Sequence, residues 1–235
     1  MRRLLLSHRA LALAMAVLIV LCPGFPGGTG GQATAGPWPR EKGHGFLASA
    51  TQVDAAAFEG PYGVYSTVYL EYGLGRNWTV GMDIGHGISG KHKLIAFLRH
   101  PVFQGESGLI AALEIGGGTV AGEPTIRPGF SLGKGLSFTN GRSGWLSLET
   151  YGELRLVSRR TDFKADATFG VTHSDRFKTI WQLQGGVSSG DPSFLRLAPS
   201  VVVRTGRQSH VELGASADIY GGDRLGLKIG LWRDF

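Results

Sequence analysis

The stretch GDRLGLKIGLWRDF, residues Gly222 to Phe235, decides the reading of the chain. Leu225, Leu227, Ile229 and Leu231 alternate with Gly226, Lys228, Gly230 and Trp232, so one face is apolar and the other mixed. A period of two is the signature of a β-strand with unlike faces. The stretch ends on an aromatic, Phe235.

Working outward, the same alternation recurs along residues 43–235, broken by turn chemistry every 10 to 20 residues, with no 3.6-period segment. Twelve strands are expected. They are Gly45–Val53, Val64–Gly73, Trp78–Gly87, Lys93–Arg99, Gly108–Gly116, Thr125–Gly133, Gly144–Leu156, Asp162–Thr172, Arg176–Val187, Phe194–Arg204, His210–Tyr220 and the C-terminal one. If a weak strand (the first or fourth) is misread, the count becomes ten or fourteen. Most have about the 9–11 residues that a tilted membrane-crossing strand requires. The 38 glycines argue against long helices and suit tight turns and crowded strands. Pro199 falls mid-strand, where a missing ladder donor predicts a bulge; Pro128 lies near a strand start.

The charges say which face is which. They share parity with the small and polar residues, not with Leu, Val, Ile and Phe. A soluble β-sandwich would put the apolar face inside, whereas a barrel in lipid puts it outside and the charges in the lumen. Tyr72, Trp78, Phe177 and Phe235 fall at strand ends of one side, as an interfacial girdle requires.

The N-terminus points the same way. Arg2, Arg3 and Arg9 precede an apolar core, Leu11 to Leu21, shorter than the roughly 20 residues of a spanning helix. Ala33-Thr34-Ala35 offers an A-x-A cleavage site before Gly36, so residues 1–35 are expected to be a cleaved signal peptide and 36–44 a periplasmic segment leading into the barrel. Leu21 and Pro23 around Cys22 do not supply the small residue that lipidation needs. Of the 24 bases, Arg2, Arg3 and Arg9 leave with the signal, giving 21 against 18 acids, a net +3. The basic balance is thus partly the leader's, which removes the main support for a nucleic-acid partner. The remainder is free of cysteine.

The last strand resembles the C-terminal strand of bacterial outer-membrane β-barrels, with its terminal aromatic (Phe235), Gly230 five before it and Lys228 seven before it. Arg233 stands where that pattern has an aromatic, with Trp232 beside it. The resemblance implies an all-β, antiparallel up-and-down transmembrane barrel in the outer membrane, inserted through recognition of its last strand. Its partners would be lipid and the barrel-insertion machinery.

The expected lumen collects Glu71, Asp83, Glu114, Glu149, Glu153, Asp166, Glu212 and Asp218 with Arg99, Arg127, Arg155, Lys164, Lys178, Arg196, Arg204 and Lys228. Strands two to seven carry five of these acids and three bases; strands eight to twelve carry three and five. Facing walls of opposite sign would suit passage of small polar or zwitterionic solutes, while pairing across a filled interior would close the lumen. A passive channel without enzyme activity is the leading expectation, and a closed structural barrel is one alternative. The other is a lipid-acting hydrolase, since Ser66 falls cross-strand from residue 85 or 86 and His86 could serve as its base, as in outer-membrane phospholipases. The orienting third residue is missing, because Asn77 and Asn140 lie in turns. The glycine run 116–118 has no helix after it to make a phosphate loop, and no ligand cluster has metal spacing, so no cofactor is expected.

Overall fold

The computed structural model describes residues 36–56, 62–88, 90, 92–139, 141–189 and 191–235. The expected signal peptide, Cys22 and Asn140 lie outside them. Twelve strands run in order: β1 (Gly45–Ala56), β2 (Gly63–Gly75), β3 (Trp78–Gly87), β4 (His92–Gln104), β5 (Leu109–Val120), β6 (Glu123–Ser137), β7 (Ser143–Arg155), β8 (Thr161–Ser174), β9 (Phe177–Ser188), β10 (Asp191–Arg204), β11 (Ser209–Tyr220) and β12 (Arg224–Asp234). Each pairs antiparallel with its sequence neighbours, and β1 pairs with β12, so the sheet closes and has no edge. The seam runs from Phe46↔Asp234 to Ala56↔Arg224. At its end Gly45 N donates to Phe235 O (2.6 Å) and Phe235 N donates to Gly45 O (3.0 Å). The Phe235 ring lies over Gly45, where a β-carbon would collide with it. Among the described residues no helix is long and apolar enough to cross a membrane.

The apolar face is outside, as the charge parity requires. Leu113, Ile115, Trp181, Leu213, Leu227, Ile229 and Leu231 are each at least half exposed. Tyr72, Trp78, Phe177 and Phe235 are exposed near the end of the barrel that carries the start of β1 and the end of β12. Trp78 stacks on His100 at 4.3 Å and Phe177 tilts against His173 at 5.4 Å. At the opposite end the connections are two to six residues long.

Two of the hairpins turn in two residues with positive φ at both, Arg76 (50°) with Asn77 (63°) and Ala121 (51°) with Gly122 (81°). This left-handed pair is the type I′ geometry that matches strand twist. Ala121 is the misfit, because its β-carbon opposes that conformation and Asn tolerates it. Ala121→Asn is therefore expected to raise unfolding free energy by about 0.5–1 kcal/mol. Denaturant titration of the folded barrel reads this out, and an unchanged midpoint would contradict it.

The bulge expected at Pro199 does not occur. Pro199 pairs in register with Trp181, and the β10–β11 register is the same before it (Leu197↔Ala217) and after it (Ser200↔Gly214). In an antiparallel strand one residue's N–H and C=O address the same neighbour, so proline empties one bond toward β11 and leaves the β9 ladder whole. Pro128 behaves likewise, paired with Ile115 on one side. A bulge does sit at another proline, between Pro101 and Phe103 on β4, and it lets that strand run on past Arg99 to Gln104.

Inside, glycines make room for large inward side chains. The Phe97 ring covers Gly81, and the Trp145 indole covers Gly170. Trp145, Ile180 and Val202 form a buried apolar cluster with Trp38 and Trp232 packed against it, near the end with the chain seam's Phe46. Residues 36–42 do not stand outside the barrel wall. Pro37 is fully buried, and Pro37 and Trp38 cover Gly133 on the inner face. This segment is a strap laid into the lumen.

Candidate functional site

Inward positions on β2 to β6 build one continuous charge network. Arg99 is its hub, bonded to Glu71 (2.7 Å) and Glu114 (3.3 Å). Arg127 joins Glu114 (2.9 Å) to Asp83 (2.5 Å), and Lys93 holds Asp83 from the other side (2.7 Å). Arg40, from the strap, closes the chain on Glu71 at 2.6 Å, and its backbone N–H donates to Thr79 Oγ1 (3.0 Å). Tyr69 donates its hydroxyl to Glu71 (2.7 Å) and accepts from Arg99 (2.6 Å). Arg99 also donates to the Gly36 carbonyl. Glu71 and Arg99 are almost wholly removed from solvent, so the alternation of sign is what makes their burial tolerable.

The remaining charges pair in small groups. Arg196 holds Asp218 (2.7 Å), its cross-strand partner, and reaches Asp54 (3.5 Å). Lys228 pairs with Glu212 (2.5 Å), which also accepts from Trp232 Nε1 (3.1 Å). Lys164 pairs with Glu153 (3.3 Å), and Arg155 with Asp162. Lys178 is half-buried at an inward position of β9. Arg204 does not reach the lumen: it is exposed at the turn 205–208, donating to the carbonyls of Gly206 (2.9 Å) and Arg207 (2.7 Å).

Glu149 and Asp166 are different. They face each other across β7 and β8, both line the cavity, and among the described residues neither has an ion pair or hydrogen bond.

Arg40, Lys93, Asp54, Asp162 and Arg224 stand inside the barrel without belonging to the expected set. Lys93 and Asp162 carry the inward parity of strands already drawn, and Asp54 needed β1 to continue one residue beyond Val53. Arg40 had no strand periodicity to reveal it. With Arg40 and Lys93 added, strands two to seven and the strap hold equal numbers of the two signs, so the acid excess expected on that wall is neutralised locally.

Between the walls lies a cavity of about 610 Å³. It runs from Asp54, Tyr65 and Arg224 near the short connections to Phe46, Trp145 and Trp232 near the seam end. Its lining mixes Gln52, Thr67, Gln182 and Gln184 with the charged groups. The strap and the aromatic cluster narrow the seam end.

On the outer wall, Ser66 and His86 are direct cross-strand partners, as their spacing implied. The Ser66 hydroxyl is hydrogen-bonded to that of Thr51 at 3.0 Å, and His86 stacks on His92 with ring centroids 5.9 Å apart. Among the described residues neither has a carboxylate or amide partner to orient a base, and no group of three metal-ligating side chains is present.

No protein-family model matches the chain, and no curated protein matches it in sequence. Solved structures do match in shape. The KdgM porin superposes with a TM-score of 0.58 at 6% identity, covering 80% of this chain and 99% of the porin. The NanC porin gives 0.59 at 9% identity, covering 79% and 98%. An outer-membrane channel from Pseudomonas putida F1 gives 0.56 at 10% identity, covering 87% and 100%. These neighbours are channels rather than enzymes. At such identities the likeness speaks for architecture alone, and with the outward apolar face it places this chain among the twelve-stranded transmembrane β-barrels with the fold of outer-membrane porins.

Proposed function

We propose that the barrel is a passive channel of the bacterial outer membrane for small polar solutes, with no catalytic role. The observation that carries this is the cavity, lined by charged, amide and apolar side chains, that follows the barrel from its loop end to the aromatic layer at its seam end. Its size is that of a small-molecule site. An even-stranded barrel of this class keeps both termini in the periplasm, so the strap and aromatic layer would form the periplasmic constriction. The connections at the other end are two to six residues long. Lipid is the partner of the outward face, and the β12 strand ending on Phe235 is the part that the insertion machinery would read.

The lumen chemistry argues for small zwitterionic or neutral polar solutes. The KdgM porin has been solved with an oligogalacturonate, an acidic polymer. Here the inward arginines of β4, β6 and β10 are all tied to carboxylates, and Glu149 and Asp166 present carboxyl groups without a cationic partner to the cavity. A polyanion would find no free arginine track along these walls.

A closed structural barrel is the second reading, favoured by the buried Pro37 and the packing of Trp38 on the aromatic cluster. Planar-bilayer recording on the purified barrel separates the two. Discrete, stable conductance steps are expected; a correctly folded barrel that gives none would sink the channel reading.

A further inference from the structure

The strap begins at a residue whose surroundings are unlike those of an ordinary peptide link. Gly36 has φ +142°, and a β-carbon there would run into the Trp38 ring, so only glycine fits. That same β-carbon position lies 3.8 Å from Glu149 Oε1. Two substituents on one Cα are about 2.5 Å apart, so the Gly36 nitrogen is no farther than about 6 Å from this carboxylate. Glu149 is one of the two lumen carboxylates with no partner among the described residues. The residues just before Gly36 are Ala33-Thr34-Ala35, the small-x-small pattern of leader cleavage.

We propose that leader cleavage between Ala35 and Gly36 creates an α-ammonium inside the lumen that pairs with Glu149 and pins residues 36–42 in place. In the step, a leader peptidase adds water across the Ala35–Gly36 peptide bond. The C–N bond breaks, Ala35 leaves as a carboxylate and Gly36 N takes up protons to become the ammonium. Processing thus supplies a cation beside Glu149. The Arg99 bond to the Gly36 carbonyl and the seating of Pro37 and Trp38 on Gly133 then hold the strap's first three residues, and Arg40 on Glu71 holds its middle. This goes beyond the channel reading and holds whether or not the lumen conducts.

The test uses the barrel purified from outer membranes. Intact mass is expected to correspond to a chain beginning at Gly36. A carbodiimide, which joins an amine to a carboxylate only when the two are in contact, is expected to couple Gly36 N to the Glu149 side chain. The readout is a cross-linked peptide lighter by one water. In Glu149→Gln the cross-link disappears and Gly36 becomes available to an amine-reactive label, with about a tenfold faster reaction for a lost interaction worth one logarithmic unit. A mature chain that begins elsewhere, coupling of Gly36 to another carboxylate, or a Gly36 left uncoupled in the wild-type barrel would each overturn the proposal. The wild-type cross-link decides even if the Gln variant does not assemble.

Discussion

Arg99→Met is expected to destabilise the barrel by about 3–5 kcal/mol, the cost of leaving a buried charge without its partner. Arg99 is 4% exposed and Glu71 is 0% exposed. Removing the guanidinium strips Glu71 of one of its two cations, Glu114 of one of two, and the strap of its bond to the Gly36 carbonyl. Glu71 is fully buried, so the cost falls in the range for a broken buried pair, well above that of a surface one. The methionine itself is nearly the right volume, which keeps cavity formation out of the result. Pairing it with Glu71→Gln removes the uncompensated charge, so the double variant is expected to lose less than the two singles summed. Denaturant unfolding in detergent or bilayers measures both. A single-variant loss under about 1 kcal/mol would mean that the lumen is wet around Arg99 and that the network is solvated, not buried.

The second large effect lies on the other face. Ile229→Arg is expected to cost about 2–4 kcal/mol, the penalty for a cation at the midplane of the lipid-facing wall. Ile229 is 58% exposed and sits in the middle of β12, between Leu227 and Leu231 of the same outward row. Its neighbour Lys228 carries a charge at almost the same height at no such cost, because it points inward to Glu212. The strand therefore contains its own control. The same arginine at Leu231, closer to the strand end, is expected to cost about 0–1 kcal/mol because it approaches the interface. Folding free energies in lipid read the depth profile. A flat profile, or no cost at Ile229, would place the apolar face against something other than hydrocarbon.

Both predictions rest on parity, which the sequence itself carries. The run Trp78–Gly87 is a strand with the bounds that its alternation indicates, and most others differ by one to three residues at their ends. The alternation ends the fourth strand at Arg99, whereas β4 runs to Gln104. The chain continues because a bulge after Pro101 restores the ladder, a solution that a residue-by-residue pattern does not encode. Pro199 is the converse: an irregularity expected from chemistry that one lost hydrogen bond absorbs.

Strand parity indicates the inward side of each strand, and cross-strand register yields pairs such as Arg196 with Asp218. It does not yield the longer links. Arg127 reaches Asp83 across three strand steps, from β6 to β3, and such a contact depends on how the closed sheet curves. The strap was the least legible part. Pro37, Trp38 and Arg40 carry no period of two, and their place inside the barrel follows from cavities that only the assembled wall creates, above all the inner face of Gly133. The segment that narrows the lumen is thus the one that strand periodicity cannot describe.

The account's central claim is that the cavity is a passage whose narrow point is the aromatic layer joined by Trp38. Paired single-channel recordings of the wild-type barrel and Trp38→Ala test it most directly. The account predicts discrete steps in both, with larger steps in Trp38→Ala because the indole no longer occupies the space beside Trp145 and Trp232. Folded barrels that conduct nothing in either form, or steps of equal size in both, would contradict it.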